Sequence, residues 1–440
     1  MFKSKRLERE SRYFLNLVRK SVDLSDDTQI NTYVYDLARK LASNSNMDSD
    51  PLSYHVAVDS AINAFAGPGA TFFINTGIIE AAGNEGQLAS VIAHELAHHK
   101  QDHLLRLSED HQATFLPSVL LILAGIAAGG DEGIAVAAGA QAARVESIID
   151  HTLSYEREAD AVGLQILTAS GYSPLDARDF MLVMEKEIRE QGAIQSNIHN
   201  THPITPERIA SFEARVKKYK NIPEPQMSED FHFVRNRVKV LFEWEPNKTY
   251  RYFESRLTAG SEIEQVAAQY GYALSLAKDG QVEAARNILS SLRSRLPNNV
   301  WLLKAEAEIM LDSHEFESAR LLLEETALGP EPDSAVVELY TRALLRSDDS
   351  HGANRYIRKH IQRFPDNLQL YKLQAEVAQK AGELLTGYLA RAEYLFRLGS
   401  LSEAMSTLKT AQTTADDFYS REVIKEKINI IGKEISWREK

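Results

Sequence analysis

The sequence predicts a mainly α protein of two parts: an α+β domain with a small sheet, then an α-solenoid of helical repeats. Three observations carry that expectation. Val91–His98 is an apolar run broken by His94, Glu95 and His98, which reads as one packed helix. Ala70–Gly77, aromatic and β-branched between Gly-Pro-Gly and Thr-Gly, reads as a strand. From about residue 261 small residues recur at the helix-turn-helix period: Ala285, Ala319 and Ala353 are 34 apart, and Pro297, Pro330 and Pro365 close the units. A chain of 440 residues is long enough for two domains with full-sized cores.

Residues 1–24 are expected to form a basic helix. Within residues 1–20, Lys3, Lys5, Arg6, Arg9, Arg12, Arg19 and Lys20 oppose only Glu8 and Glu10, and Phe14, Leu15, Leu17 and Val18 lie among them. The stretch holds no unbroken apolar run of the kind a secretory leader needs. It reads as a first helix packed on the domain behind it, with peripheral contact to an anionic membrane surface as the alternative.

Residues 25–216 form the domain that carries the chemistry. Histidines four apart on a helix lie about 40° apart around its axis, so His94 and His98 face one way. A Glu directly after the first His is set to take a proton from water on a metal that both imidazoles hold. His99 and His103 are also four apart but lack the following Glu, which gives a contrast within the chain. A third protein ligand is expected in Ser154–Leu164, where Ala159, Val162, Gly163 and Leu164 give a packed helix face. Glu156 and Asp160 share its remaining face. Glu156 reaches the metal, and Asp160 accepts from a ligating imidazole and fixes its tautomer. Glu158 lies on a different side. The site is thus one zinc ion per chain on His94, His98 and Glu156, with Glu95 as general base; two His and one Glu at this spacing favour zinc.

Phe115–Ala140 is apolar and then Ala- and Gly-rich. A membrane span wants about 20 predominantly apolar residues; Pro117, Gly125 and Gly129–Gly133 argue against one. Two short helices joined by a flexible turn are expected, serving as a cover, a membrane-proximal patch or a core hairpin. Residues 217–260 read as a linker that docks, since Pro223 and Pro225 are followed by Phe231, Phe233, Leu241, Phe242 and Trp244. Residues 261–440 form about four repeat units. Asp348–His351 stands where the third unit should have a Gly turn, and an insertion is expected before the fourth. His314, His351 and His360 are expected at the surface. Such arrays bind proteins. A net charge of −12 argues against a nucleic-acid partner. With no cysteine, disulfide stapling and thiol chemistry are excluded.

The order His94-Glu95-x-x-His98 then Glu156-x-x-x-Asp160 resembles the gluzincin metalloproteases. Asn63–Gly69 (Asn-Ala-Phe-Ala-Gly-Pro-Gly) and Thr201–Ile209, with its His202-Pro203 and Arg208, narrow the resemblance to the family that holds the CAAX prenyl protease. It spans about residues 25–215, and the repeat tail points to that family's bacterial envelope branch. It implies a zinc metalloendopeptidase in quality control of outer-membrane proteins. The substrates would be unfolded or misassembled proteins, the compartment the periplasm, and the repeats would engage substrate or the outer-membrane assembly machinery. His202 would stabilise the oxyanion or occupy the metal's open position, and Arg208 would orient a carboxylate near the site or make a surface ion pair. Asn63, Ala64, Phe65, Gly69, Thr71, Phe72 and Phe73 are assigned to an edge strand that takes substrate by strand addition. In the envelope branch, cysteines lock the two domains together; that device is missing here. The alternative is a chaperone or adaptor repeat protein whose protease site is capped or silent. A membrane-embedded prenyl protease is opposed by the lack of several long apolar spans.

Overall fold

Helix dominates both parts of the chain, and the described residues contain one sheet, of three strands. The computed structural model describes residues 2–45, 47, 52–103, 106, 142–191, 202–219, 228–243 and 245–438. The chain divides into a first unit, Met1–Ser25 with Tyr33–Phe242, and a second, Asp26–Thr32 with Glu243–Lys440. The boundary at Phe242 falls inside the expected 217–260 segment, whose Phe231 and Phe233 are buried. The expected helix pair at Phe115–Ala140 lies outside the described residues. Among those described, no helix is long and apolar enough to cross a membrane.

The first unit begins with α1 (Phe2–Ser21) and, from Tyr33, α2 (Thr28–Ser43), followed by β1 (Ser53–Ala57), β2 (Ala64–Gly67) and β3 (Thr71–Asn75). Then come α3 (Thr76–Ala81), α4 (Glu85–Lys100), α5 (Ala142–Ala169), α6 (Pro174–Gln191), α7 (Pro206–Val216) and α8 (Glu229–Phe242). The strand order is β1-β3-β2, with β3 parallel to β1 and antiparallel to β2. This corrects the edge-strand expectation: Thr71, Phe72 and Phe73 lie on the central strand, and the edge near the candidate site is Ala64–Gly67. The physical reason is burial on both faces. On one face Phe73 stacks on Phe65 at 4.7 Å and His55 at 5.2 Å, and takes Phe14 of α1 edge-on at 5.8 Å. On the other, Phe72 stacks on Tyr54 at 4.8 Å and meets His99 of α4 edge-on at 6.0 Å.

Gly69 and Ala70 turn the chain between β2 and β3 with φ of 66° and 57°, a region glycine enters without strain. Gly67 is required for a different reason. A Cβ there would stand 2.2 Å from Cε1 of Phe14, so its bare backbone is what lets α1 lie on the sheet.

The N-terminus of α4 is fixed from several directions. Asn84 caps it, accepting from the Gln87 N–H at 2.8 Å, and its amide donates to Asp176 at 2.9 Å. Glu85, in the first turn where a carboxylate suits the helix dipole, accepts from the Tyr33 and Tyr172 hydroxyls at 2.7 Å each. These anchors set the rotational phase of α4 and with it the direction in which His94 and His98 point.

The second unit is a solenoid of helical hairpins, α9 (Pro246–Glu254), α10 (Glu262–Lys278), α11 (Val282–Arg295), α12 (Val300–Asp312) and α13 (Phe316–Ala327), and onward through α14 (Ser334–Arg346), α15 (Ser350–His360) and α16 (Leu368–Lys380). It closes with α17 (Leu384–Leu398), α18 (Leu401–Thr414) and α19 (Phe418–Arg438). Ala285, Ala319 and Ala353 are fully buried, where small side chains let paired helices approach. The hairpin turns repeat more strictly than the sequence does. Gly280, His314, Asp348 and Gly382, each 34 after the last, all have positive φ, from 63° to 80°. Asp348 therefore makes the turn without glycine; Asp is among the residues that tolerate this conformation. The insertion expected before the fourth unit is instead a further hairpin in phase. His314 and His351 are exposed, but His360 is buried against Tyr356 at 4.7 Å, which corrects its expected surface position.

Candidate metal centre

Helices α4 and α5 meet at His94. A Cβ on Gly163 of α5 would stand 3.1 Å from the His94 Cα and 3.2 Å from the Ala93 carbonyl oxygen. The missing side chain is what allows so close an approach, and two turns earlier on α5 it brings Glu156 over the two imidazoles. His94 Nε2 and His98 Nε2 are 3.1 Å apart, and each is 3.2 Å from an oxygen of Glu156. His202 closes the group from the segment before α7, its Nδ1 3.1 Å from Glu156 Oε1. One ligand atom from each of these four residues lies within 4.8 Å of the others. Donors about 2.0–2.1 Å from a tetrahedral ion stand roughly 3.3 Å apart, so the observed spacings fit a small divalent metal.

Glu95, on the next position of α4 and almost fully buried, has Oε1 3.4 Å from His202 Nε2. The same His202 nitrogen donates to the Ala64 carbonyl at 3.2 Å, on the edge strand. Asn63 and Phe65 flank Ala64 and are buried, while Gly69 stands in the turn beyond.

The carboxylates behind the group share a guanidinium. His94 turns Nδ1 to Asp160 Oδ1 at 3.2 Å. Arg208, buried on α7, donates from Nε and Nη2 to the two Asp160 oxygens at 2.7 Å each, and its Nη1 lies 2.7 Å from Glu156 Oε2. Nη1 also donates to the Pro203 carbonyl at 3.1 Å. Of the two expectations for Arg208, the geometry is that of a buried clamp on site carboxylates, not of a surface pair.

These contacts set the protonation of the metal-free group. Burial pushes His94 down, but the Asp160 and Glu156 carboxylates outweigh it and hold its pKa up at about 10. His202 is raised in the same way, against burial, by Glu156 and Glu95. Burial wins at His98, which is lowered. Glu156 and Asp160 resist burial and are lowered, the first by His202 and Arg208, the second by Arg208 and His94. A metal entering here displaces protons from imidazoles, so affinity falls as pH falls.

Glu158, the rival carboxylate, faces away and pairs with Arg106 at 2.9 Å and His103 at 3.2 Å. His103, left without a role by the sequence, lies 3.0 Å from His98 (Nδ1 to Nδ1). The only signal in the sequence was that His103 follows His98 by five residues, past the end of α4. Beside Glu95 and His202 opens a cleft lined by the apolar side chains of Leu164, Phe180, Met181, Met184 and Phe212.

Imidazoles and a carboxylate converging at metal-ligand spacing, with a buried Glu next to the first imidazole, define a metal-dependent peptidase centre. Residues 28–216 match Peptidase family M48, and the chain is a metalloendopeptidase. It is 28% identical to the Beta-barrel assembly-enhancing protease of Yersinia pestis over 91% of this chain and 82% of that protein. The same shares and identity hold for the Beta-barrel assembly-enhancing protease of Escherichia coli strain K12. The Mitochondrial metalloendopeptidase OMA1 of Saccharomyces cerevisiae is 28% identical over 41% of this chain and 52% of its own length.

Proposed function

We propose that the metal is zinc, held by His94, His98 and Glu156, and that the protein cleaves misassembled proteins of the bacterial envelope. The observation that carries this is the convergence of the four donors beside a buried glutamate. Zinc in this centre would polarise the scissile carbonyl and acidify a water. Glu95 takes the proton from that water as general base and returns it to the leaving amine. Asp160 accepts from His94 Nδ1 and fixes its tautomer, and Arg208 keeps both carboxylates ionised.

His202 is the restraint. Its Nε2 donates to the Ala64 carbonyl, which leaves Nδ1 free to offer a lone pair where the other three donors converge. In that position it would fill the metal's remaining place, and it occupies a main-chain acceptor of the edge strand. A substrate strand adding to Ala64–Gly67 needs that acceptor, so substrate and His202 exclude one another. This favours a capped resting enzyme, and it gives the adaptor reading its support: a site that stays capped leaves a protein that binds without cutting.

Residues 25–216 are read as the protease domain, 217–260 as a docking segment, and 261–440 as a tetratricopeptide array that holds substrate. A role at β-barrel proteins is supported by the name, Beta-barrel assembly-enhancing protease, that relatives over nine-tenths of this chain bear; the outer membrane and a periplasmic location are proposed from the family resemblance.

The test is metal content measured together with cleavage of an unfolded protein. Wild type should hold about one zinc per chain. Glu95→Gln should keep the zinc and lose at least about 10²-fold in kcat/KM, and His202→Ala should cleave faster than wild type. Wild type without zinc, or cleavage that survives Glu95→Gln, overturns the reading.

A further inference from the structure

His98 turns Nε2 inward, toward His94 and Glu156. Its Nδ1 faces outward, 3.0 Å from Nδ1 of His103. Two ring nitrogens at that distance need one proton between them. An imidazole that offers Nε2 to a metal is neutral and carries its proton on Nδ1, so His98 donates and His103 accepts. His103 must then carry its own proton on Nε2. That atom is 3.2 Å from Glu158 Oε2, a carboxylate oxygen that can only accept, and Arg106 Nη1 donates to the same oxygen at 2.9 Å. Each proton along the line has one place. The ring of His103 is also held in plane: it stacks on Tyr155 at 4.7 Å and 19°, and Arg106 lies over the other part of that stack, 4.7 Å from the Tyr155 ring.

We propose that His103 is a positioning residue for His98, fixing its tautomer and ring orientation through a His98–His103–Glu158 chain. The inference rests on His98 being a metal ligand. The centre then has two unlike supports, since Asp160, a carboxylate, serves His94 and a neutral imidazole serves His98. Outer partners of metal-bound histidines commonly change metal affinity about 10–100-fold when removed, and His103 sits where such a partner must be.

The readout is zinc affinity by chelator competition on the full chain, with the unfolding temperature of the metal-free protein measured alongside. His103→Phe keeps the ring stack and removes the acceptor; zinc affinity should fall about 10–100-fold while the metal-free unfolding temperature holds. His103→Asn returns an amide oxygen near the position of Nδ1 and should recover most of the affinity, which a packing role would not allow. Wild-type affinity in His103→Phe overturns the proposal. Should that variant not fold, Glu158→Leu, at the half-exposed outer end of the line, tests the same link: weaker zinc supports the chain and unchanged zinc overturns it. His94→Ala is the control. If it too binds zinc like wild type, the metal centre itself is misassigned; if it loses zinc while His103→Phe does not, only the role of His103 falls.

Discussion

Arg208→Leu removes the guanidinium that grips both Asp160 and Glu156. Arg208 is almost fully buried, with three of its nitrogens 2.7 Å from those carboxylates. Breaking a buried ion pair by deleting one partner costs about 3–5 kcal/mol, because the other charge stays buried without compensation. For a unit of about 150–250 residues each kcal/mol moves Tm by about 2–4 °C, so the metal-free protein should melt about 6–20 °C lower. The acid limb must move as well. Glu156 and Asp160 are depressed in the fold, so they lend stability above the ordinary carboxylate range near pH 4, lost as pH falls through their folded values. Without the guanidinium those values rise, and acid unfolding should begin at higher pH. Arg208→Lys should fall between, since an ammonium neutralises charge but cannot fork to both oxygens of Asp160. Calorimetry with and without chelator decides it. A metal-free Tm drop below about 2 °C, the scale of an ordinary surface change, would mean that the guanidinium is not what stabilises the buried carboxylates.

Three further outcomes are expected. Gly163→Ala gains up to about 1 kcal/mol of helix propensity but presses on the His94 backbone, where overpacking costs about 1–3 kcal/mol; stability should hold or fall by up to about 2 kcal/mol while zinc affinity drops, and unchanged affinity would show that α4 yields elsewhere. Burial, aided by Arg19, pushes His55 down to about 3, so the fold is most stable above the unfolded value near 6.5 and loses up to about 1.4 kcal/mol per pH unit below it. His55→Phe should flatten urea-measured stability between pH 7.5 and 5; an unaltered slope would move the pH dependence to other groups. Chelation should lower Tm by an amount that grows with the zinc previously present, about 2.7 kcal/mol at 100 times Kd, and a Tm indifferent to chelator would mean no resident metal.

The parts of the site that follow from helical period were legible. The His94–His98 spacing and the choice of Glu156 over Glu158 depend only on which residues share a helix face, and the structure brings those three side chains together and sends Glu158 to Arg106 and His103. What depended on long-range pairing was not. Phe72 and Phe73 are apolar on both faces, which suits a central strand as well as an edge, and nothing local announces that Ser53–Ala57 pairs beside them. His103 follows His98 by five residues rather than four, and its approach comes from the turn that ends α4. Gly163 shows only as one more small residue until its distance to His94 is known. In the repeats the 34-residue period was visible in Ala and Pro, while the turns that keep the period through His314 and Asp348 were hidden by the loss of glycine.

The hydrogen bond from Arg208 Nη1 to the Pro203 carbonyl has a kinetic consequence. It clamps the backbone one residue beyond His202 to the same guanidinium that holds Asp160. Lifting the whole segment with Arg208 would take the guanidinium from two buried carboxylates, at the several kcal/mol such a loss costs. Rotating the imidazole about its own torsions breaks its contacts to Glu156, Glu95 and Ala64 and any bond to a metal, but leaves the Arg208 clamp intact. The cheap route out is therefore the small one, a bolt drawn while the door stays shut. Side-chain rotation is orders of magnitude faster than segment or domain motion, so the centre should exchange between covered and open many times before any larger rearrangement occurs.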